Sequence, residues 1–279
     1  MTSREVKLPP IRACIFDMDG LLINSEDIIT QAINEHLEHY GRPLLTQQIR
    51  AQLMGVAGSS DSEWFHNWAK LPISRETSAS ELRSRMHALF PQCEPLPGAR
   101  ALVANLSHAC SIVSGERIQL ALASTTKSSS YALKTSRPDT KQLLDCFQSD
   151  RRILGDDVRL PPGQAKPHPA IYKIALEALN SSEGLKENPI LPSECLVIED
   201  SIPGVEAGRR AGMRVVWVPH PALATEYEAK VDSVLAGRTS MFNIGNDWQL
   251  GEIQDGWAES IPSLEKFDSS KYGITVTTE

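Results

Sequence analysis

The sequence predicts an α/β protein, a doubly wound, Rossmann-like parallel sheet with an inserted helical cap domain. Three observations carry this. Short apolar runs at 11–16, 118–123 and 195–198 each end in acidic or hydroxyl-bearing residues, as buried parallel strands do at their carboxyl ends. Helical patterns at 170–179 and 205–211 alternate with further strand-like runs at 152–154 and 214–218. Between the first and second runs, about a hundred residues have helical spacing and little strand character.

The first run, Ile11-Arg12-Ala13-Cys14-Ile15-Phe16, leads into Asp17-Met18-Asp19-Gly20. Two carboxylates at i and i+2 after a buried strand are costly unless a cation or a proton-transfer task needs them. An Asp-rich turn is the plainer alternative. Residues 25–40 then place Ile28, Ile29, Ala32, Ile33 and Leu37 on one helical side. Further helices are expected at 46–54, at 60–71, where Trp64, Trp68 and Leu71 share a face, and at 80–89. The Trp64/Trp68 stripe reads as cap core. Pro91, Pro95 and Pro97-Gly98 break the pattern before a helix at 99–106. The division that follows is a helical insert at 26–95, on a two-stranded tether, and an α/β core at 1–25 and 96–279; the family resemblance given below makes the insert a cap and the core catalytic. Glycines in Leu53-Met54-Gly55-Val56-Ala57-Gly58 permit tight turning and close approach.

The second run ends in Ser124-Thr125-Thr126-Lys127, residues that also suit a helix N-cap. Gly155-Asp156-Asp157 reads as a turn. Lys166 stands in the Gly/Pro-rich loop Gly163-Gln164-Ala165-Lys166-Pro167-His168-Pro169, before a helix. Cys195-Leu196-Val197-Ile198 leads into Glu199-Asp200-Ser201, with Gly204 beyond. From about 236 the alternation stops. Residues 239–262 are polar and turn-rich, carry Trp248 and Trp257, and suit either a loop or a dimer contact; a helix-like pattern resumes at 263–267.

A net charge of −7 and a pI near 5.6 argue against a general binder of nucleic acid polymers or membrane surfaces. No apolar stretch approaches the roughly 20 residues of a membrane span, and residues 1–7 lack the apolar centre of a signal peptide. Five cysteines without a Cys-x-x-Cys pair suggest neither a disulfide scaffold nor zinc, and fit a reducing, cytoplasmic setting.

An Asp pair, a hydroxyl, a lysine and an acidic pair, in that order at strand or loop ends, make the chain resemble the phosphatase branch of the haloacid dehalogenase superfamily. The resemblance implies that Asp17 is a nucleophile forming an aspartyl-phosphate and that Asp19 is the general acid and base. It implies Mg²⁺ held by the Asp17 carboxylate, the Asp19 backbone carbonyl and the Asp200 carboxylate, with Glu199 in or beside that set. Ser124, Thr125 and Lys166 would contact the phosphoryl group. The cap would close over the site and read the leaving group, with Gly55 among its contacts.

Residues 11–220 look like the pseudouridine-5′-phosphatase group within that branch. The supporting segments are Phe16-Asp17-Met18-Asp19-Gly20-Leu21-Leu22, Leu71-Pro72-Ile73-Ser74, Leu89-Phe90-Pro91, Lys134-Thr135-Ser136-Arg137, Leu154-Gly155-Asp156-Asp157 and Cys195-Leu196-Val197. Lys134–Arg137 by itself reads as a basic surface helix end. Departures are Asn24 in place of Asp, Val56-Ala57 in place of lysines, and insertions at 109–117 and near the C-terminus. The implied substrate is a small phosphorylated metabolite: a nucleotide or sugar phosphate such as pseudouridine 5′-phosphate, or a sugar or polyol phosphate of the 2-deoxyglucose 6-phosphate or glycerol phosphate type. A β-phosphoglucomutase-like phosphotransferase and a non-catalytic binding module are the other readings. The protein is expected to be a monomer or homodimer.

Overall fold

The structure, a computed structural model, describes residues 8–56, 58–239 and 250–276; the expectations for residues 1–7, Ala57 and Trp248 lie outside these. Its strands are β1 (Ala13–Phe16), β2 (Cys110–Ser111), β3 (Gln119–Ala123), β4 (Arg152–Ile153), β5 (Cys195–Glu199), β6 (Arg214–Trp217), β7 (Ala258–Ser260) and β8 (Ile274–Thr275). Six of them form one parallel sheet in the order β4-β3-β1-β5-β6-β7. The chain therefore winds from β1 to one side, then returns to the other side of β1 at β5. That reversal opens a crevice at the carboxyl ends of β1 and β5, where doubly wound sheets hold their ligands.

Period-two alternation sends the strand side chains to two separate cores. Cys14, Phe16, Leu120, Leu122, Leu196 and Ile198 face one side, packed with α5 (Ala99–His108) and α7 (Pro138–Leu144). Ala13, Ile15, Ala121, Ala123, Cys195 and Val197 face the other, packed with α8 (Ala170–Asn180) and α9 (Ile202–Arg210). Both faces are covered, so β1 is buried along its whole length. Register places Phe16 opposite Leu122 on one flank and Ile198 on the other, which brings the residues that follow all three strands to one edge.

Four helices, α1 (Ser25–His39), α2 (Gln47–Leu53), α3 (Glu63–Ala69) and α4 (Arg75–Leu89), surround a third core of Ala32, Ile33, Leu37, Leu53, Phe65, Ala69, Leu71 and Leu82. The expected Trp64/Trp68 stripe is corrected here. Trp64 is 45% exposed and Phe65 only 1%, while Trp68 packs from the margin. Ser62 sets this phase: its hydroxyl accepts from the Phe65 N–H and starts α3 at Glu63, turning Phe65 and Ala69 inward. Ser74 caps α4 in the same way, so that helix begins at Arg75, five residues ahead of the expected start. In place of the expected two-stranded tether, two extended segments lead into and out of this bundle and meet at a single bridge. Ile23 bridges Pro95, the Asn24 N–H donates to Glu94 O at 3.0 Å, and Glu94 N–H donates to Asn24 Oδ1 at 2.8 Å.

Beyond β5 and β6 come α10 (Pro221–Glu226) and α11 (Val231–Leu235); α6 (Ser128–Lys134) follows β3. The turn-rich stretch near the C-terminus contains a strand the sequence pattern did not reveal. Ala258–Ser260 extends the sheet beside β6, with Val215 N–H donating to Trp257 O at 2.9 Å. The insertion after α5 forms β2, which pairs antiparallel with β8. No helix of the described residues is long and apolar enough to cross a membrane.

Candidate active site

Asp17 follows β1 directly, and its N–H continues the ladder to Ile198 O at 3.0 Å. Its side chain lies in the crevice with those of Glu199 and Asp200, and one oxygen from each carboxylate falls within 4.8 Å of the others. All three residues are buried. Lys166 reaches them from the loop before α8. Its ammonium donates to Asp17 Oδ1 at 2.5 Å, Glu199 Oε1 at 2.6 Å and Ala123 O at 2.9 Å. Tyr172, one turn into α8, donates to Glu199 Oε1 at 2.8 Å. The other Glu199 oxygen accepts from the Ser201 N–H and hydroxyl at 2.9 and 3.0 Å. Both Glu199 oxygens are thus engaged by the protein, and Glu199 holds Lys166 and Ser201 in place.

The electrostatics follow from burial. Desolvation raises the Asp17 carboxyl; Lys166 opposes this and the Glu199 and Asp19 charges add to it. Asp200 is raised well above the usual carboxylate range by burial, then by Glu199, Asp17 and Glu26. Burial disfavours the Lys166 charge, but Asp17 and Glu199 carry it well above its ordinary value. Lys166 bridges two of the three carboxylates, and ionising all three beside it would leave an excess of negative charge, which a divalent cation would offset. The oxygen-only donor set fits a hard cation such as Mg²⁺. Gly20 shapes this wall: with φ +75° it accepts a left-handed turn, and a Cβ there would come within 2.3 Å of Asp200 Oδ2.

Asp19 sits two residues on, beside α6. Its Oδ1 accepts from Ser25 Oγ at 2.7 Å and from the Lys134 ammonium, and its Oδ2 accepts from Ser124 Oγ at 3.0 Å and Thr126 Oγ1 at 2.6 Å. Burial works to raise this carboxyl, but the Lys134 charge and the hydrogen bonds outweigh it and hold Asp19 below its ordinary value. Ser124 is fully buried with its hydroxyl turned to Asp19, while Thr125 and Thr126 line the open cavity.

That cavity has a volume of about 270 Å³ and lies between the sheet edge and the helical bundle. Asp17, Asp19, Lys166 and Asp200 form its floor; Arg50, Leu53, Met54, Arg83 and Met86 form its roof. Gly55 marks where roof meets floor, since a Cβ there would fall 2.2 Å from Ser201 Cβ. Its N–H also bonds Glu26, a buried carboxyl pushed up to about 7 by burial and then by the Asp19 charge.

The structure therefore gathers Asp17, Asp19, Ser124, Thr125, Gly55, Lys166, Glu199 and Asp200 around one crevice. It also corrects one expectation. Lys134 is no surface residue: it is 3% exposed and paired with Asp19. Ser25, Thr126, Tyr172 and Glu26 had not been singled out for the site. Tyr172 offered the nearest signal, a hydroxyl one turn into the helix that follows the Lys166 loop. The others become legible only when strand ends meet.

A buried carboxylate set at the carboxyl edge of a doubly wound sheet, with an ammonium and hydroxyls at hand, suits phosphoryl chemistry, and comparison with known proteins makes the class a phosphoric monoester hydrolase. Residues 11–212 match the haloacid dehalogenase-like hydrolase family, and the chain belongs to it. It is 34% identical to an uncharacterized protein of Schizosaccharomyces pombe, over 98% of this chain and 97% of that one. It is also 34% identical to a protein of Saccharomyces cerevisiae named probable pseudouridine-5′-phosphatase, over 95% of this chain and 98% of that one. In fold it matches a solved hydrolase of the same family from Deinococcus radiodurans, with a TM-score of 0.58 and 24% identity, over 85% of this chain and 99% of that one.

Proposed function

We propose that the protein is a Mg²⁺-dependent phosphatase of a small phosphorylated metabolite, working through an aspartyl-phosphate on Asp17, with residues 26–95 acting as its cap. The observation that carries this reading is the placement of Asp17 and Asp19 together on the floor of one roofed cavity, with Lys166 bonded to Asp17. In the first half-reaction an Asp17 oxygen bonds to phosphorus as the ester P–O bond breaks, and Asp19, ionised in the free protein and protonated from solvent once the dianionic ester beside it raises its pKa, gives the leaving oxygen that proton. In the second, water bonds to phosphorus as the Asp17 O–P bond breaks, and the water proton passes to Asp19. Lys166 offsets the negative charge shared by Asp17 and the phosphoryl group. Mg²⁺ held by Asp17, the Asp19 carbonyl and Asp200 would supply charge neutralisation for the dianionic ester. Thr125, which lines the cavity, would contact a transferring phosphoryl oxygen.

Pseudouridine 5′-phosphate is the substrate this reading favours, supported by the yeast relative's name and by the segments that resemble that group. The cavity's mixed roof, with Arg50 and Arg83 beside Leu53 and Met86, suits a polar nucleoside or sugar bound along one apolar side. The test is phosphate release across pseudouridine, nucleotide, sugar and glycerol phosphates, with and without EDTA and with Asp17→Asn as the blank. Mg²⁺-dependent turnover that D17N abolishes is expected. Turnover retained by D17N would refute the nucleophile, and glucose 6-phosphate formed from β-glucose 1-phosphate in place of free phosphate would make the protein a mutase.

A further inference from the structure

Four donors converge on the two oxygens of Asp19, and one of them is a lysine that its own sequence neighbourhood does not explain. Lys134 ends α6, is 3% exposed, and donates to Asp19 Oδ1 and, at 2.9 Å, to Thr126 Oγ1. An ammonium so deeply buried is costly unless a carboxylate faces it. Asp19 is that carboxylate.

The surroundings of the pair join both ends of the helical bundle. Ser25, the first residue of α1, shares Asp19 Oδ1 with Lys134. On its other side the Lys134 ammonium lies 4.6 Å from the centre of the Phe90 ring, in the short turn Phe90–Gln92 that follows α4. A cation over an aromatic face is an attractive contact, stronger when dry. With Ser124 and Thr126 on Oδ2, the plane and rotamer of the Asp19 carboxyl are determined from both sides. Without Lys134, Oδ1 keeps a single hydroxyl donor and Thr126 loses the group that orients its own.

We propose that Lys134 is a positioning residue for the reaction, holding the Asp19 carboxyl toward the leaving oxygen and tying that orientation to both ends of the helical bundle through Ser25, at the start of α1, and Phe90, just after α4. The proposal rests on the reading of Asp19 as general acid and base. Lys134 exchanges no proton with substrate; it fixes the group that does.

The test compares two leaving groups by kcat/KM, which reports only the steps through release of the alcohol. Benzyl phosphate leaves as an alkoxide that needs a proton; 4-nitrophenyl phosphate leaves as a stable anion that does not. Wild type, Asp19→Asn, Lys134→Met and Lys134→Arg are assayed with saturating Mg²⁺. General acid catalysis contributes on the order of 100-fold or more. Lys134→Met is therefore expected to lower kcat/KM for benzyl phosphate about 100-fold and for 4-nitrophenyl phosphate less than about fivefold, with Lys134→Arg recovering part of the benzyl loss. A lysine that merely bound phosphate or supported the fold would lower both substrates alike. Equal losses in K134M, alongside a selective loss in D19N, would overturn the positioning role. Equal losses in D19N would instead overturn the reading of Asp19. If K134M melts below the assay temperature, Lys134→Gln carries the same comparison with the same outcomes.

Discussion

Replacing Lys166 by Met removes the one ammonium that touches both Asp17 and Glu199. In the native protein its Nζ makes bonds of 2.5, 2.6 and 2.9 Å, all buried, and lies 5.0 Å from the centre of the Tyr172 ring. Met fills a similar volume, so the packing change is small and the effect is electrostatic. Removing one partner of a buried ion pair costs about 3–5 kcal/mol, because the remaining charge is left without compensation. At about 2–4 °C per kcal/mol for a chain of this size, the melting temperature should fall by roughly 6–20 °C in EDTA. Urea unfolding of wild type, Lys166→Met, Asp17→Asn and the double variant measures the charge contribution directly. Asp17 accepts its side-chain bond from Lys166, so Asn at position 17 relieves the repulsion without stranding another donor. The double variant should therefore recover about 1–3 kcal/mol relative to K166M, the coupling expected of contacting charges. A K166M protein within about 1 kcal/mol of wild type, or a double variant less stable than K166M, would refute this account of the site.

Two further outcomes follow from other parts of the molecule. Glu26 has a folded pKa raised from 4.5 to about 7, so the folded state binds more protons than the unfolded state across that window. Stability in EDTA should fall as pH rises from about 4.5 to about 7, with Glu26 contributing at most on the order of 3 kcal/mol and the raised Asp17 and Asp200 adding to the same slope. Glu26→Gln should lessen that slope in urea titrations; an unchanged slope would assign it to the other carboxyls. In the helical bundle, Phe65→Ala should cost about 3–5 kcal/mol, and Trp64→Ala under about 1 kcal/mol because its ring is 45% exposed. Chemical denaturation distinguishes them, and equal losses would contradict the phase of α3.

Much of this arrangement was legible before any coordinates. Residues 13–16 are apolar without interruption, which suits a strand covered on both faces, and Asp17 and Asp19 follow directly at its carboxyl end. Ser124, Lys166 and Glu199-Asp200 repeat that logic at later strand and loop ends. Phase within helices was less legible, as Trp64 and Phe65 illustrate. Hydrophobicity alone favours either, and the choice fell to the Ser62 cap. Residues 258–260 were missed because three residues at a sheet edge carry too little pattern to announce a strand.

What the sequence determined by itself is therefore the local chemistry: which residues are costly to bury, and that Asp17, Ser124 and Glu199-Asp200 each close an apolar run while Lys166 stands in a Gly/Pro-rich loop. What only the tertiary structure decided is which of them share one space. The reversal of winding between β1 and β5 brings Asp17 and Asp200 together across 183 positions of chain. The close of α6 against the Phe90 turn buries Lys134 beside Asp19. Neither pairing leaves a periodic trace in the chain, because contact between distant segments is set by sheet order and packing. Lys134 shows the consequence most directly: in sequence it is a basic residue at a helix end, and in the fold it is the cation that faces Asp19.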